Sequence, residues 1–109
     1  MPPLIQHLIG PHLWVKRDPS WNAVMETVAL PLFTDEERQA LLRWIDLDRR
    51  TIDWEAIHRE GARLTEEQRI LLRIAHALFN GGPCQLSELG KMSSRGRSAA
   101  MMIIGQRYL

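Results

Sequence analysis

The sequence predicts an all-α fold, a compact bundle of five or six short helices, and three observations carry that prediction. Apolar residues recur at the i, i+3, i+4, i+7 spacing of a helix face in several separate stretches. Two stretches open with a threonine followed three residues later by glutamate or glutamine, Thr34 with Glu37 and Thr65 with Gln68, the capping box that starts a helix. No run of four to eight residues alternates apolar and polar side chains convincingly, so a sheet is not expected.

Taken in order, Leu4, Ile5, Leu8 and Ile9 have helical spacing after a proline start, and Gly10-Pro11 ends that run. Leu13-Trp14-Val15 reads as a short extended stretch, so residues 1–17 form an ill-defined N-terminal segment packed on one domain that spans residues 1–109. Asp18 is placed to cap a helix whose first turn holds Pro19. Trp21, Val24, Met25 and Val28 line its buried face, and Pro31 limits it to about 12 residues. Thr34 starts the next helix, with Leu41, Trp44, Ile45 and Leu47 on the buried side and Arg49-Arg50 at its close. A shorter helix is expected from Thr51 or Asp53, burying Trp54 and Ile57 and stopping at Gly61. The strongest helix follows Thr65: Leu71, Ile74, Ala75 and Leu78 form one face, and Asn80-Gly81-Gly82-Pro83 stops it. Leu86, Leu89 and Met92 predict a short helix. Residues 93–97 then predict a loop, and Ser98 a cap for a last helix through about Arg107. Trp21, Leu41, Trp44, Leu71, Ile74, Leu78 and Ile103 are the expected core.

The chain has 109 residues, 45% apolar and 25% charged, as in an ordinary soluble domain. No apolar run approaches the roughly 20 residues of a membrane span, so no membrane partner is expected. Met1-Pro2-Pro3 lacks the basic start of a secretory signal, and one cysteine, Cys84, cannot form an internal disulfide; both lean towards the cytoplasm.

The net charge of +1 conceals a segregation. Residues 34–68 carry ten acidic side chains against six arginines, whereas from residue 69 onward six cations face Glu88 alone. A basic C-terminal third fits a polyanion or an acidic protein surface, and also pairing with the acidic middle within the fold or between protomers. Of the 14 cations, 12 are arginine.

Residues that could do chemistry are few. His7, His12, His58 and His76 include no i, i+3 or i, i+4 pair, so no helix presents two metal ligands, and no metal or cofactor is expected. His76 lies one step from the apolar face of its helix, a half-buried position. Cys84 with His76 or His58 lacks any surrounding nucleophile signature and reads as a small buried thiol. The carboxylates Asp46, Asp48, Asp53 and Glu55 around Arg49-Arg50 read as a solvated, salt-bridged turn. Gly81-Gly82-Pro83 lacks the lysine of a phosphate loop. The chain is therefore not expected to be an enzyme.

Two C-terminal features stand out. Residues 86–108 resemble a helix-turn-helix: LSELGKM, a turn, then a helix, with Gly90 where the two helices would cross and Arg95, Arg97 and Ser98 at the start of the reading helix. The turn is polar, however, and Met101 and Met102 stand where groove-facing polar side chains belong. Residues 99–104 are apolar on every side, so that segment is enclosed in the core or docks, through Met101 and Met102, on another protein or another copy. Lys91, Arg95, Arg97 and Arg107 are the expected contacts to a partner or to phosphate.

Arg73-Ile74-Ala75-His76-Ala77-Leu78-Phe79-Asn80-Gly81, followed by a helix ending in an apolar run, resembles a segment of small uncharacterised bacterial helical proteins. That resemblance implies an all-α fold and no activity or site residues. The functional expectation is a non-enzymatic binding module, a small regulatory, adaptor or inhibitor protein that meets a protein or a larger nucleoprotein assembly through its basic C-terminal segment. A helix-turn-helix DNA-binding regulator is the alternative, and homo-oligomers fit either reading.

Overall fold

The computed structural model describes residues 3–82 and 86–108. The expectations placed on Pro83, Cys84 and the side chains of Leu4 and Leu86 lie outside what it describes. Along the chain run α1 (Pro3–Ile9), α2 (Trp14–Arg17), α3 (Pro19–Ala29), α4 (Asp35–Leu42), β1 (Ile45–Asp46), β2 (Thr51–Ile52), α5 (Trp54–Gly61), α6 (Glu66–Phe79), a 3-10 helix (Leu86–Lys91) and α7 (Ser94–Tyr108). The fold is all-α, with one two-residue antiparallel ladder pairing Ile45 with Ile52 and Asp46 with Thr51. No helix among the described residues is long and apolar enough to cross a membrane.

The centre is α3, which packs against both α6 and α7. Its Val24, Met25 and Val28 are buried, as are Ile5 of α1, Leu71, Ile74 and Leu78 of α6, and Ala100 and Ile103 of α7. Each of these valine, leucine, isoleucine and methionine side chains contributes about 1.5–3 kcal/mol by leaving water. Six of the seven expected core residues are in this cluster, while Trp44 packs against it half-buried.

Local chemistry fixes most helix starts. Asp18 accepts from the backbone N–H groups of Ser20 and Trp21 at the head of α3. Both capping boxes form, Thr34 with Glu37 and Thr65 with Gln68. They also join each other: the Gln68 side-chain amide donates to Glu37 Oε1 at 3.1 Å and to the Leu32 carbonyl at 2.6 Å. Asp53 caps α5 by accepting from the Ala56 N–H. At the far end of α6, Gly81 takes a left-handed φ of 70°, and Gly82 N–H donates back to the Ala77 carbonyl, the glycine-dependent Schellman closure.

Three expectations change. Residues 14–17 form a single helical turn rather than an extended strip, so Val15 enters the core while Leu13 points to solvent. The helix expected to run to Arg49-Arg50 stops at Leu42. Beyond it the chain makes the short ladder, and Asp46 accepts from the Arg49 backbone N–H. Aspartate competes in this way for local donors, and Arg50 at φ 54° completes the reversal. Ile45 and Leu47 are both buried, a spacing of two that a helix cannot bury on one face.

The third change is at the C-terminus: residues 94–97 are helical, not a loop, and Ser93 rather than Ser98 is the cap. The Ser93 hydroxyl accepts from the Gly96 N–H, and its carbonyl accepts from the Arg97 N–H. Glu67, in the first turn of α6, accepts from both the backbone N–H and the hydroxyl of Ser93 at 2.9 and 2.7 Å. Its carboxylate therefore sits at the positive end of the α7 dipole. Gly96 faces it so closely that a Cβ there would collide with the Glu67 carboxylate.

Candidate functional site

Two surfaces carry groups that can meet a ligand or partner. The first is the outer side of α7. Gly96, Ala100 and Ile103 face inward, which turns Arg95, Ser98, Met101 and Met102 outward. Met101, Met102 and Tyr108 are 57, 46 and 56% exposed, so this helix holds three of the four exposed large apolar side chains among the described residues. The segment of residues 99–104 is thus not enclosed in the core. No acidic residue lies within α7, and Arg95, Arg97 and, just before it, Lys91 are exposed.

Arg107 is placed differently from its fellows. Its Nε donates to the Leu78 carbonyl at 2.9 Å, so it closes the C-terminus of α6 from half-buried surroundings. Arg95 and Arg97 stand together in the first turns of α7, with Arg97 Nη2 donating to Ser94 Oγ at 3.4 Å. Glu67 and the Ser93 hydroxyl already engage two of the N–H groups at this helix start. The segment from Leu86 to Lys91 is a 3-10 helix, and a Cβ on Gly90 would touch nothing, so Gly90 is not a helix-crossing point.

The second surface is an open groove of about 460 Å³ between α5 and α6, and sequence reasoning missed it. His58 Nε2 and His76 Nδ1 lie 2.9 Å apart and share one hydrogen bond, so the ring that accepts is neutral while the other donates. Trp54 stacks on His76 with ring centres 4.4 Å apart and planes within 7° of parallel, which fixes the imidazole's orientation. The helices approach closely because residue 61 is glycine: a Cβ there would meet Leu72 Cδ1 at 3.2 Å.

Both histidines are held below the ordinary imidazole pKa. Desolvation by burial is the main cause for each, and for His58 the neighbouring His76 and Arg73 add charge repulsion. Arg69 and Arg73 of α6 and Asn80 at its C-cap complete the polar lining. Arg73 forks onto Glu88 of the 3-10 helix through Nε and Nη2 at 3.2 and 3.1 Å, and Arg69 Nη1 donates to the Leu64 carbonyl. The pair is separated by 18 residues, so no spacing rule within one helix could find it. The only sequence signal is that each histidine directly follows a buried residue, Ile57 or Ala75.

Among the described residues no three His, Cys, Asp or Glu side chains converge as a metal site. The acidic turn holds Arg49 within 3.9 Å of Asp46 and His12 within 3.3 Å of Asp48, both at the surface. Arg50 lies over the Trp14 ring at 4.2 Å. The chain matches no protein-family model, and no curated protein or solved structure is significantly similar to it.

Proposed function

We propose that this is a non-enzymatic binding module, a small regulatory or adaptor protein that docks the outer face of α7 on a protein surface with an apolar centre and an acidic rim. The carrying observation is the exposure of Met101, Met102 and Tyr108 on a helix with no acidic side chain and with Arg95 and Arg97 at its head. An exposed apolar cluster rimmed by like charge is the pattern of an interaction site. Methionine's flexible thioether adapts to an opposing surface, and arginine forks onto carboxylates. A cytoplasmic setting fits a chain with one cysteine. The helix-turn-helix reading draws less support, because methionines occupy the outward positions from which a reading helix would contact bases.

The test is capture of the partner followed by reconstitution of the purified pair, comparing the parent with Arg95→Ala/Arg97→Ala and with Met101→Ser/Met102→Ser. Each double variant should melt with the parent and bind at least about tenfold more weakly, the effect of losing roughly 1.4 kcal/mol. The arginine effect should shrink at high salt and the methionine effect persist. Unchanged affinity in both variants would remove α7 from the contact. A captured nucleic acid, released steeply by salt, would replace a protein partner with a phosphate backbone. Self-association abolished by the methionine variant would make the partner a second copy.

A further inference from the structure

We propose that the groove between α5 and α6 is a binding site for a phosphate-bearing small molecule, gripped by Arg69 and Arg73 and by the hydrogen-bonded pair of His58 and His76. Among the described residues, every lining side chain that can carry charge is a nitrogen base, and no carboxylate lines the groove. The two guanidiniums, of which Arg73 is paired with Glu88, give the concavity a positive field that a dianion neutralises, and the imidazoles add donors to it. Arg69, Arg73 and His76 follow one another at helical spacing on α6, while His58 reaches in from α5.

Donor capacity remains after the internal bonds are counted. Arg69 commits Nη1 to Leu64, and Arg73 commits Nε and Nη2 to Glu88. Among the described residues this leaves Arg69 Nε and Nη2 and Arg73 Nη1 without a partner. The bond to Glu88 also orients the Arg73 guanidinium. A phosphate carries nearly two charges and three acceptor oxygens, enough to accept from both guanidiniums and an imidazolium at once, whereas a carboxylate has two oxygens and one charge. At about 460 Å³ the groove exceeds what the phosphate alone fills, and Leu72 and Ala77 offer an apolar wall to the rest of the ligand.

The histidine pair makes the site report its own occupancy. The lowered basicity of both rings follows from burial, with His76 and Arg73 adding repulsion on His58. Among the described residues, Glu88, beside Arg73, is the only carboxylate hydrogen-bonded to a charged member of the lining. An anion seated between the guanidiniums and the rings reverses the repulsion and draws a proton onto the pair, so binding and protonation are linked.

The test is a histidine NMR titration of the full chain in inorganic phosphate and in chloride at equal ionic strength, with a thermal melt under each condition. Phosphate should raise the midpoints of His58 and His76 and raise the melting temperature. Arg69→Gln/Arg73→Gln should abolish both responses, and Arg69→Gln alone, which keeps the bond from Arg73 to Glu88, should weaken apparent phosphate affinity at least tenfold. Arg95→Ala/Arg97→Ala should respond as the parent does, which separates this site from the α7 surface. Equal midpoints in phosphate and chloride would overturn the proposal, as would a phosphate affinity that Arg69→Gln leaves at the parent's value, or a response that survives Arg69→Gln/Arg73→Gln or disappears with Arg95 and Arg97.

Discussion

Arg38 provides the sharpest test of how this fold is held. Its side chain is 6% exposed and ends inside a helix junction rather than in solvent. Nε donates to the Val28 carbonyl at 2.9 Å and Nη2 to the Leu30 carbonyl at 2.7 Å, so one guanidinium on α4 closes the C-terminus of α3. Nη1 donates to Asp35 at 2.7 Å, but that carboxylate is 77% exposed and contributes little in high dielectric. The cost of Arg38→Ala therefore resides in the two carbonyls. A hydrogen bond to a charged donor is worth about 1.5–3 kcal/mol, and the loss of two, partly offset by entering water, should destabilise by about 3–5 kcal/mol. Arg38→Lys keeps the charge without the fork and should recover less than half of that. Asp35→Ala should cost under about 1 kcal/mol. Urea unfolding followed by circular dichroism measures all three. A loss below about 1 kcal/mol for Arg38→Ala, or equal losses for Arg38→Ala and Asp35→Ala, would refute the carbonyl argument.

Ile74, buried on the central face of α6, should cost about 2–5 kcal/mol when truncated to alanine; a chemical-denaturation change under about 0.5 kcal/mol would mean α6 is not central. Thr34→Ala and Thr65→Ala should each lose about 0.5–2 kcal/mol, read by the same unfolding curves, because each removes a cap already in place. Gly96→Ala should destabilise by about 0.5–2 kcal/mol, against the gain of up to about 1 kcal/mol that alanine normally brings to a helix, because it evicts Glu67 from Ser93. In a Glu67→Ala background the sign should reverse, a double-mutant cycle that isolates the contact. For pH, His58 and His76 bind protons less readily folded than unfolded, so stability should be full above about 6.5 and decline as pH falls from there towards their lowered folded values. His76→Gln should flatten that decline, and an unchanged slope in melts across pH 7 to 5 would remove the pair as its source.

The sequence by itself determined the helical class and the features whose causes lie within four or five residues. Asp18, Thr34 and Thr65 each meet donors two or three residues ahead, so their caps were legible as letters, while for α5 the letters left Thr51 or Asp53 open and Asp53 is the cap. The stop after α6 was legible for the same reason, since glycine adopts the left-handed turn at Gly81 without strain. The buried faces of α3 and α6 followed from a 3.6-residue period. What the sequence left open was decided by partners far away along the chain. Ser93 and Ser98 are equally good caps by residue type, and Glu67, 26 residues earlier, selects Ser93. The chain turns back after Leu42 because Ile45 and Leu47 both enter the core, which a continued helix could not achieve. His58 and His76 meet only because α5 and α6 pack at Gly61, and Arg107 leaves the basic surface only because the end of α6 offers it a carbonyl. Backbone capping is local and can be read from neighbouring letters. A side chain whose polar end is satisfied across a helix interface finds its partner through packing, which no pattern within one helix encodes.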